Sequence, residues 1–327
     1  MKTTTILTFA AALVLTSYAL AQDTTKPETK PESADAKPAE PAPDPTAALF
    51  KNAENVVDVG GFGSNQPVER TDQPKRGVIV FGKEAVVHDP RAHWEQWDWK
   101  PYKAQRWGRY AVWLTYTMKF ANLQSQFKLG TNALKNTLRA SPKPTKYYLG
   151  EIYIEKPGEV SFSLFAPASG AEAALDVIEL SFVPAPEGPL PKQSAKGGIT
   201  LEAKTATTWS ESMRYEPKAE KNCLGYWTSA DDMAEWEFDV IKPGKYKVSV
   251  FHGCGGGNEG SEVAVKLDGQ ELKFKTQDTG GFQKWKEVKV GEIEIKEAGK
   301  QRLVIDPVNK VKSAVLDVQK VVLTPVS

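Results

Sequence analysis

Cysteine and histidine are scarce in this chain of 327 residues, which has two Cys and three His. Two thiols are too few for a disulfide-stapled scaffold or a thiolate zinc site. Three histidines leave little material for proton-transfer chemistry near neutral pH. Charge of either sign is not in excess: 42 Lys and Arg stand against 41 Asp and Glu, a formal net charge of +1. That excludes the basic field with which a general nucleic-acid binder neutralises phosphates. No serine elbow is present, no long stretch has helical periodicity, and no segment reads as a membrane span.

What is present begins with a targeting segment. Lys2 supplies a positive end, Ile6–Leu20 an apolar run, and Ala19-Leu20-Ala21 a small-x-small cleavage site. Residues 1–21 therefore read as a signal peptide, and the mature protein is expected to be secreted or periplasmic. No Cys follows the cleavage site, which argues against a lipid anchor. Residues 22–46 alternate Pro with Lys, Glu, Asp, Thr and Ala. Such a segment cannot bury enough surface to offset its ordering entropy, so it reads as a disordered, Pro-stiffened linker. It is either a spacer or a plain leader.

The most legible stretch runs from Leu224 to Asn258. Trp236, Phe238 and Val240 alternate with Glu235, Glu237 and Asp239, and Tyr246, Val248 and Val250 resume the alternation beyond Pro243-Gly244. An antiparallel hairpin with one buried face is the expectation. The pattern also repeats. Gly108–Tyr116 resembles Gly244–His252, Leu123–Leu138 resembles Ser261–Thr276, Leu149–Pro167 resembles Val290–Pro307, and Ala174–Pro184 resembles Val315–Pro325. The offset stays near ~140 residues, the usual size of one domain. Short strands and Gly, Pro, Asn and Asp turns fill both copies, with Asp268-Gly269 and Gly130-Thr131 as hairpin turns. The expected fold class is all-β: two tandem β-sandwich (jelly-roll) domains, a first module over 47–186, a linker over 187–197 and a second module over 198–327.

The residues GYWT (225–228), WEFDVIKPGKYKVSV (236–250), GCGGGNEGSEV (253–263), TGGFQKW (279–285) and VLDVQKV (315–321) resemble carbohydrate-binding-like jelly-roll modules appended to bacterial sulfatases and α-L-fucosidases. Their wider relatives are the family-six-type modules of the galactose-binding-like fold. The resemblance implies a sugar site with a stacking aromatic in the TGGFQKW loop. It also implies a structural calcium held by two acidic residues of the opening strand and a late-strand Asp. Glu202 and Asp317 fit that set, but Lys204 stands where the second acidic ligand would be, and Lys83 stands at the matching place in the first copy. An ammonium cannot ligate a cation. The expectation is therefore that no cofactor is bound and that Lys83–Asp176 and Lys204–Asp317 ion pairs replace the calcium.

Carbohydrate recognition needs a flat aromatic face for the apolar side of a pyranose and amide, acidic or backbone groups for its hydroxyls. Tyr226, Trp227, Asn258, Phe282 and Trp285 lie near loops and are the candidate ligand-binding set, whereas Trp236 is core. In the first copy, Lys143 and Lys146 offer only a weak attraction for an anionic glycan. Cys223 and Cys254 flank the expected hairpin at one end, so an exported chain is expected to pair them as a disulfide, with two free buried thiols as the alternative. The glycines from Gly255 to Gly260 match G-x-G-x-x-G formally, but a strand follows where a dinucleotide site needs a helix. Asp231, Asp232 and Glu235 read as a solvated face, and His88, Asp89 and His93 have no nucleophile to serve. The sequence thus reads as an exported non-catalytic protein whose partner is a polysaccharide or other glycan. The alternative is a structural β-sandwich protein that docks a surface protein and has no sugar site.

Overall fold

The computed structural model describes residues 56–58, 67, 70–89, 91, 93–119, 122–167 and 175–326. The expected signal peptide and the Pro-rich linker lie outside them. In chain order the first strands are β1 (Val56–Asp58), β2 (Ile79–Phe81), β3 (Ala85–Asp89), β4 (Trp94–Asp98), β5 (Tyr102–Ala104), β6 (Gly108–Met118), β7 (Leu123–Leu129), β8 (Asn132–Leu138), β9 (Ser141–Ile154), β10 (Gly158–Val160), β11 (Phe162–Pro167) and β12 (Leu175–Pro184). There follow β13 (Ile199–Glu202), β14 (Thr207–Trp209), β15 (Arg214–Glu216), β16 (Cys223–Gly225), β17 (Met233–Val240), β18 (Gly244–Cys254), β19 (Glu262–Leu267), β20 (Gln270–Lys275), β21 (Gly281–Ile295), β22 (Gly299–Pro307) and β23 (Asp317–Pro325). Only a 3-10 turn, Ala203–Thr205, interrupts this all-β order among the described residues.

Four larger sheets result. One has the order β1-β8-β7-β11-β4-β3 and packs against β2-β12-β6-β9, while β10 and β5 form a two-stranded ribbon. Phe127, Leu134 and Leu164 from the first of these meet Val112, Leu149 and Phe182 from the second in one buried cluster. In the other half, β15-β16-β23-β18-β21, with β13 also on β23, packs against β14-β17-β22-β19-β20. Trp236, Phe238, Val263 and Ile305 meet Tyr246, Val250, Leu224 and Val321 in a second cluster. The order β8-β7-β11-β4 recurs as β20-β19-β22-β17, and β12-β6-β9 recurs as β23-β18-β21. The internal repeat is therefore a repeat of topology. Asp268 and Gly269 both adopt positive φ (46° and 74°) and close the β19–β20 hairpin, the backbone that an Asp-Gly pair favours.

One expectation is corrected. Alternation in β17 and β18 is as read from the sequence, but the two strands are not hairpin partners. β17 pairs with β14 and β22, whereas β18 pairs with β21 and β23. The turn at Lys242–Gly244 carries the chain from one sheet to the other, so both apolar faces look into the same core. Alternation reports which side of a strand is buried and is silent about its neighbour.

Among the described residues the two halves form one compact unit, and side chains bind them together. Arg106 is buried, and its guanidinium donates to Tyr110 Oη at 3.0 Å, to Thr208 Oγ1 at 2.5 Å and to the carbonyl of Met213. Trp107 Nε1 donates to the Tyr215 carbonyl at 2.9 Å. Trp113 and Val183 from one half and Trp209 from the other share a small apolar cluster. Arg76 meets buried Asp232 at 2.5 Å, and Arg70 chelates buried Glu235. Asp232 and Glu235 are thus junction residues rather than a solvated face. Gly77 lets the backbones touch there: a Cβ on it would lie 2.3 Å from the Ser210 carbonyl oxygen. If the two halves fold as one cooperative unit, calorimetry should show a single transition. Arg106→Ala should then lower stability by about 2–4 kcal/mol, because three acceptors lose their donor. Two separated transitions in the unsubstituted protein would contradict this.

Candidate functional site

The candidate site lies on the face of the β15-β16-β23-β18-β21 sheet turned away from its core. Directly paired residues share a face. The pairs Arg214↔Gly225, Leu224↔Val318 and Gly253↔Asp317 therefore set Arg214, Gly225, Asp317 and Gly253 in one row across four strands. Two of the four are glycines, and the space they leave is filled. A Cβ on Gly225 would lie 2.3 Å from Glu216 Oε2, and one on Gly253 would lie 2.0 Å from the Phe282 carbonyl oxygen and 3.2 Å from Trp285 Cζ3. A Cβ on Gly255 would meet the Phe282 ring at 2.9 Å. The glycines thus seat the loop that begins β21 tightly on the end of β18.

Beneath that loop is a buried polar group. Cys223 Sγ donates to Asp317 Oδ2 at 3.7 Å, and Gln283 Nε2 donates to the same oxygen at 3.2 Å. Lys221 Nζ donates to buried Glu216 at 2.5 Å. Burial, with Glu216 adding to it, pushes the Asp317 carboxyl up to about 7. Burial likewise raises the Cys223 thiol above its ordinary value. Ligand atoms of Glu216, Cys223 and Asp317 lie within 4.8 Å of one another and could chelate a metal ion. The Lys221 ammonium and the Gln283 amide already satisfy the two carboxylates, so the group is self-consistent as a hydrogen-bonded cluster.

Around it stand the aromatic residues. Tyr226 is 45% exposed and held at a positive φ of 61°, an uncommon conformation for a bulky residue. The Arg214 guanidinium stacks 3.4 Å from the centre of its ring and 3.9 Å from that of Trp107, whose plane stands at 85° to Tyr226. Trp107 comes from the other half of the chain, and sequence reading did not single it out. Its position just before β6 gives no signal that it crosses the junction. Phe282 and Trp285 are half-buried on the far side of the row.

Several sequence expectations need correction here. Trp227 is 1% exposed and donates from Nε1 to the Asp232 carbonyl at 3.2 Å, so it is core. The Asn258 side-chain oxygen accepts from Ser313 Oγ at 2.7 Å and from the Ala314 amide at 3.1 Å, which commits it to fastening two loops. Cys223 and Cys254 are free and buried rather than disulfide-linked. Gly253, not Cys254, pairs with Asp317, so Cys254 points to the opposite side of the sheet from Cys223, towards the Val315 carbonyl at 3.9 Å. The Lys204–Asp317 ion pair is not formed. The 3-10 turn after Glu202 takes Lys204 off the strand, and its ammonium sits 3.0 Å from Glu202 instead. At the matching place in the first half, Lys83 meets Asp176 at 2.5 Å, with both side chains more than half exposed.

The raised Asp317 pKa has a pH signature. A carboxyl that holds its proton more tightly folded than unfolded contributes stability that is complete below the unfolded value, near ~3.9. That stability is lost as pH rises through about 7. Melting temperature should therefore fall between pH 5 and pH 8 by a component that Asp317→Asn abolishes. An identical pH slope in the variant would contradict the assignment.

Comparison with known proteins follows from this geometry. The model of a family described as a domain of unknown function (DUF5077) matches residues 205–327. No curated protein matches the chain. Among solved structures, a family 35 carbohydrate-binding module from Clostridium thermocellum is similar at 12% identity and a TM-score of 0.34, covering 39% of this chain and 98% of that one. The C-terminal CBM6 of the marine laminarinase LamC from Zobellia galactanivorans is similar at 16% identity and a TM-score of 0.31, covering 39% and 98%. A Paenibacillus xanthan lyase is similar at 13% identity and a TM-score of 0.30 over 81% of this chain, which spans only 27% of the lyase. At such TM-scores these similarities carry no ligand over to this chain.

Proposed function

We propose that the chain is an exported, non-catalytic glycan-binding protein built from two β-sandwich modules, and that its principal site is the aromatic rim of Tyr226, Phe282 and Trp285. The observation that carries this reading is the seating of Phe282 and Trp285 against Gly253 and Gly255, beside Gln283. Half-exposed rings fixed by backbone contact present a rigid apolar face without an ordering cost at binding. A pyranose offers an apolar face to such a ring and hydroxyls to an amide such as Gln283. The resemblance of TGGFQKW to a sugar-binding loop supports the same site. The Pro-rich segment over 22–46 would hold the modules away from the surface to which the exported chain is delivered.

A second reading, docking of a surface protein, is favoured by one observation. The Arg214 guanidinium already occupies a face of Tyr226 and of Trp107, so part of the rim is self-satisfied. Affinity electrophoresis of the mature protein through gels holding neutral and sulfated polysaccharides separates the two. Retardation by at least one polysaccharide is expected, weakened about tenfold or more by Trp285→Ala, the size typical of losing a central aromatic contact. Migration unaffected by every polysaccharide would transfer the weight to docking.

A further inference from the structure

We propose that the junction between the two halves carries an oxyanion site, which takes sulfate or phosphate, free or as the ester group of a small molecule. The chain builds it from separate stretches. Lys75 and Arg76 lead into β2, Tyr102 opens β5, Arg106 precedes β6, and Glu211 follows β14. These residues line one pocket of about 440 Å³. That volume falls in the range of small-ligand sites and exceeds what a bare ion fills, so a body attached to the ion can enter with it.

The lining is cationic, and the protein uses its cations only in part. Lys75, Arg76 and Arg106 stand against one carboxylate, Glu211. Arg76 meets Asp232 through Nε at 2.5 Å, and among the described residues its two terminal nitrogens make no hydrogen bond or ion pair. Arg106 is 3% exposed and donates from Nε and Nη1, yet its Nη2 makes no hydrogen bond to a described residue. The Lys75 ammonium and the Tyr102 hydroxyl likewise have no partner among them. Burial raises the pKa of Tyr102, so its hydroxyl stays protonated as a neutral donor. Arg70 shows the contrast within the same junction: both of its terminal nitrogens donate to the two oxygens of Glu235. One guanidinium fork is thus filled by a carboxylate, and two keep unused donors on side chains that line a cavity.

A guanidinium presents N–H donors in a planar fork that fits an oxyanion, and an ammonium adds a charge with no fixed direction. One fork would satisfy a carboxylate. Two forks and an ammonium around one pocket instead suit a tetrahedral ion, whose oxygens accept from several sides. Asp232, Glu211 and Asp231 act on Arg76 and oppose the ion, so binding is sensitive to salt. No residue of the aromatic rim lines this pocket, and the inference is independent of the glycan reading.

Isothermal titration of the full chain at low ionic strength with inorganic sulfate, inorganic phosphate, glucose 6-sulfate and glucose 6-phosphate tests it. Lys75→Glu and Glu211→Gln are the informative variants, since both side chains are exposed and make no hydrogen bond or ion pair to a described residue. Saturable binding of at least one of the four at millimolar concentration is expected. Lys75→Glu should weaken it about threefold or more and Glu211→Gln should tighten it, because the two changes move the pocket charge in opposite directions. An ester that binds tighter than its inorganic ion supports the proposal with the ester as ligand, and equal affinity supports it with the free ion. No saturable binding of any of the four would overturn the proposal. So would binding that either substitution leaves unchanged or moves against its sign, or binding lost in Trp285→Ala, which would place the ion at the rim.

Discussion

A buried guanidinium at the junction is the interaction on which the remaining structure depends. Burying the Arg106 guanidinium requires that acceptors be held in place around it. Those acceptors come from both halves: Tyr110 beside it in sequence, and Thr208 and the Met213 carbonyl from across the junction. A small displacement between the halves would strand a cation in a dry environment. Gly77 against Ser210 and the Trp113–Val183–Trp209 cluster close the same contact by shape. Arg70 and Arg76 repeat the device with carboxylates as acceptors.

The rim inherits its form from that junction. Met213 and Arg214 are consecutive, so the segment that accepts from Arg106 also aims the Arg214 guanidinium at the rings of Tyr226 and Trp107. Trp107 follows Arg106 and is tied to Tyr215 by its own indole N–H. On the other side of the row, glycines do what the arginines do at the junction. Gly253 and Gly255 remove side-chain volume so that backbone can sit against backbone, which fixes Phe282 and Trp285. The polar cluster of Glu216, Cys223 and Asp317 lies between and is stabilised by Lys221 and Gln283. The Gln283–Asp317 hydrogen bond ties this cluster to the loop that carries Phe282 and Trp285.

Strand identity and strand face were legible in the sequence because both follow from a period of two. Trp236, Phe238, Tyr246 and Val248 are buried as their alternation requires, and the repeat of patterns was a repeat of topology. Pairing was less legible. Pro243-Gly244 reads as a hairpin turn, yet it joins two sheets, since nothing local distinguishes a neighbour beside from a neighbour opposite. The same ambiguity explains the cysteines, which were expected at one end of a hairpin and instead face opposite sides of one sheet. Trp227 and Tyr226 are adjacent in sequence and opposite in fate, one 1% and the other 45% exposed, because the chain leaves β16 at Gly225 through a positive φ at Tyr226 that no strand pattern predicts. A groove beside Phe165 in the first half left no sequence signal either. Its residues come from three strands, β7, β8 and β11, and Gln124 and Gln126 are ordinary solvent-face residues until register brings them beside Phe165.

The central claim, that fixed aromatics on these sheets read glycan, is tested most directly through the nine Trp residues. Their indole N–H resonances can be followed by NMR as neutral and anionic oligosaccharides are added, with single Trp→Phe variants for assignment. The account predicts that Trp285 shifts with at least one oligosaccharide, while buried Trp227 and Trp236 stay in place. An indole spectrum unmoved by every oligosaccharide, or one in which only the buried indoles respond, would contradict it.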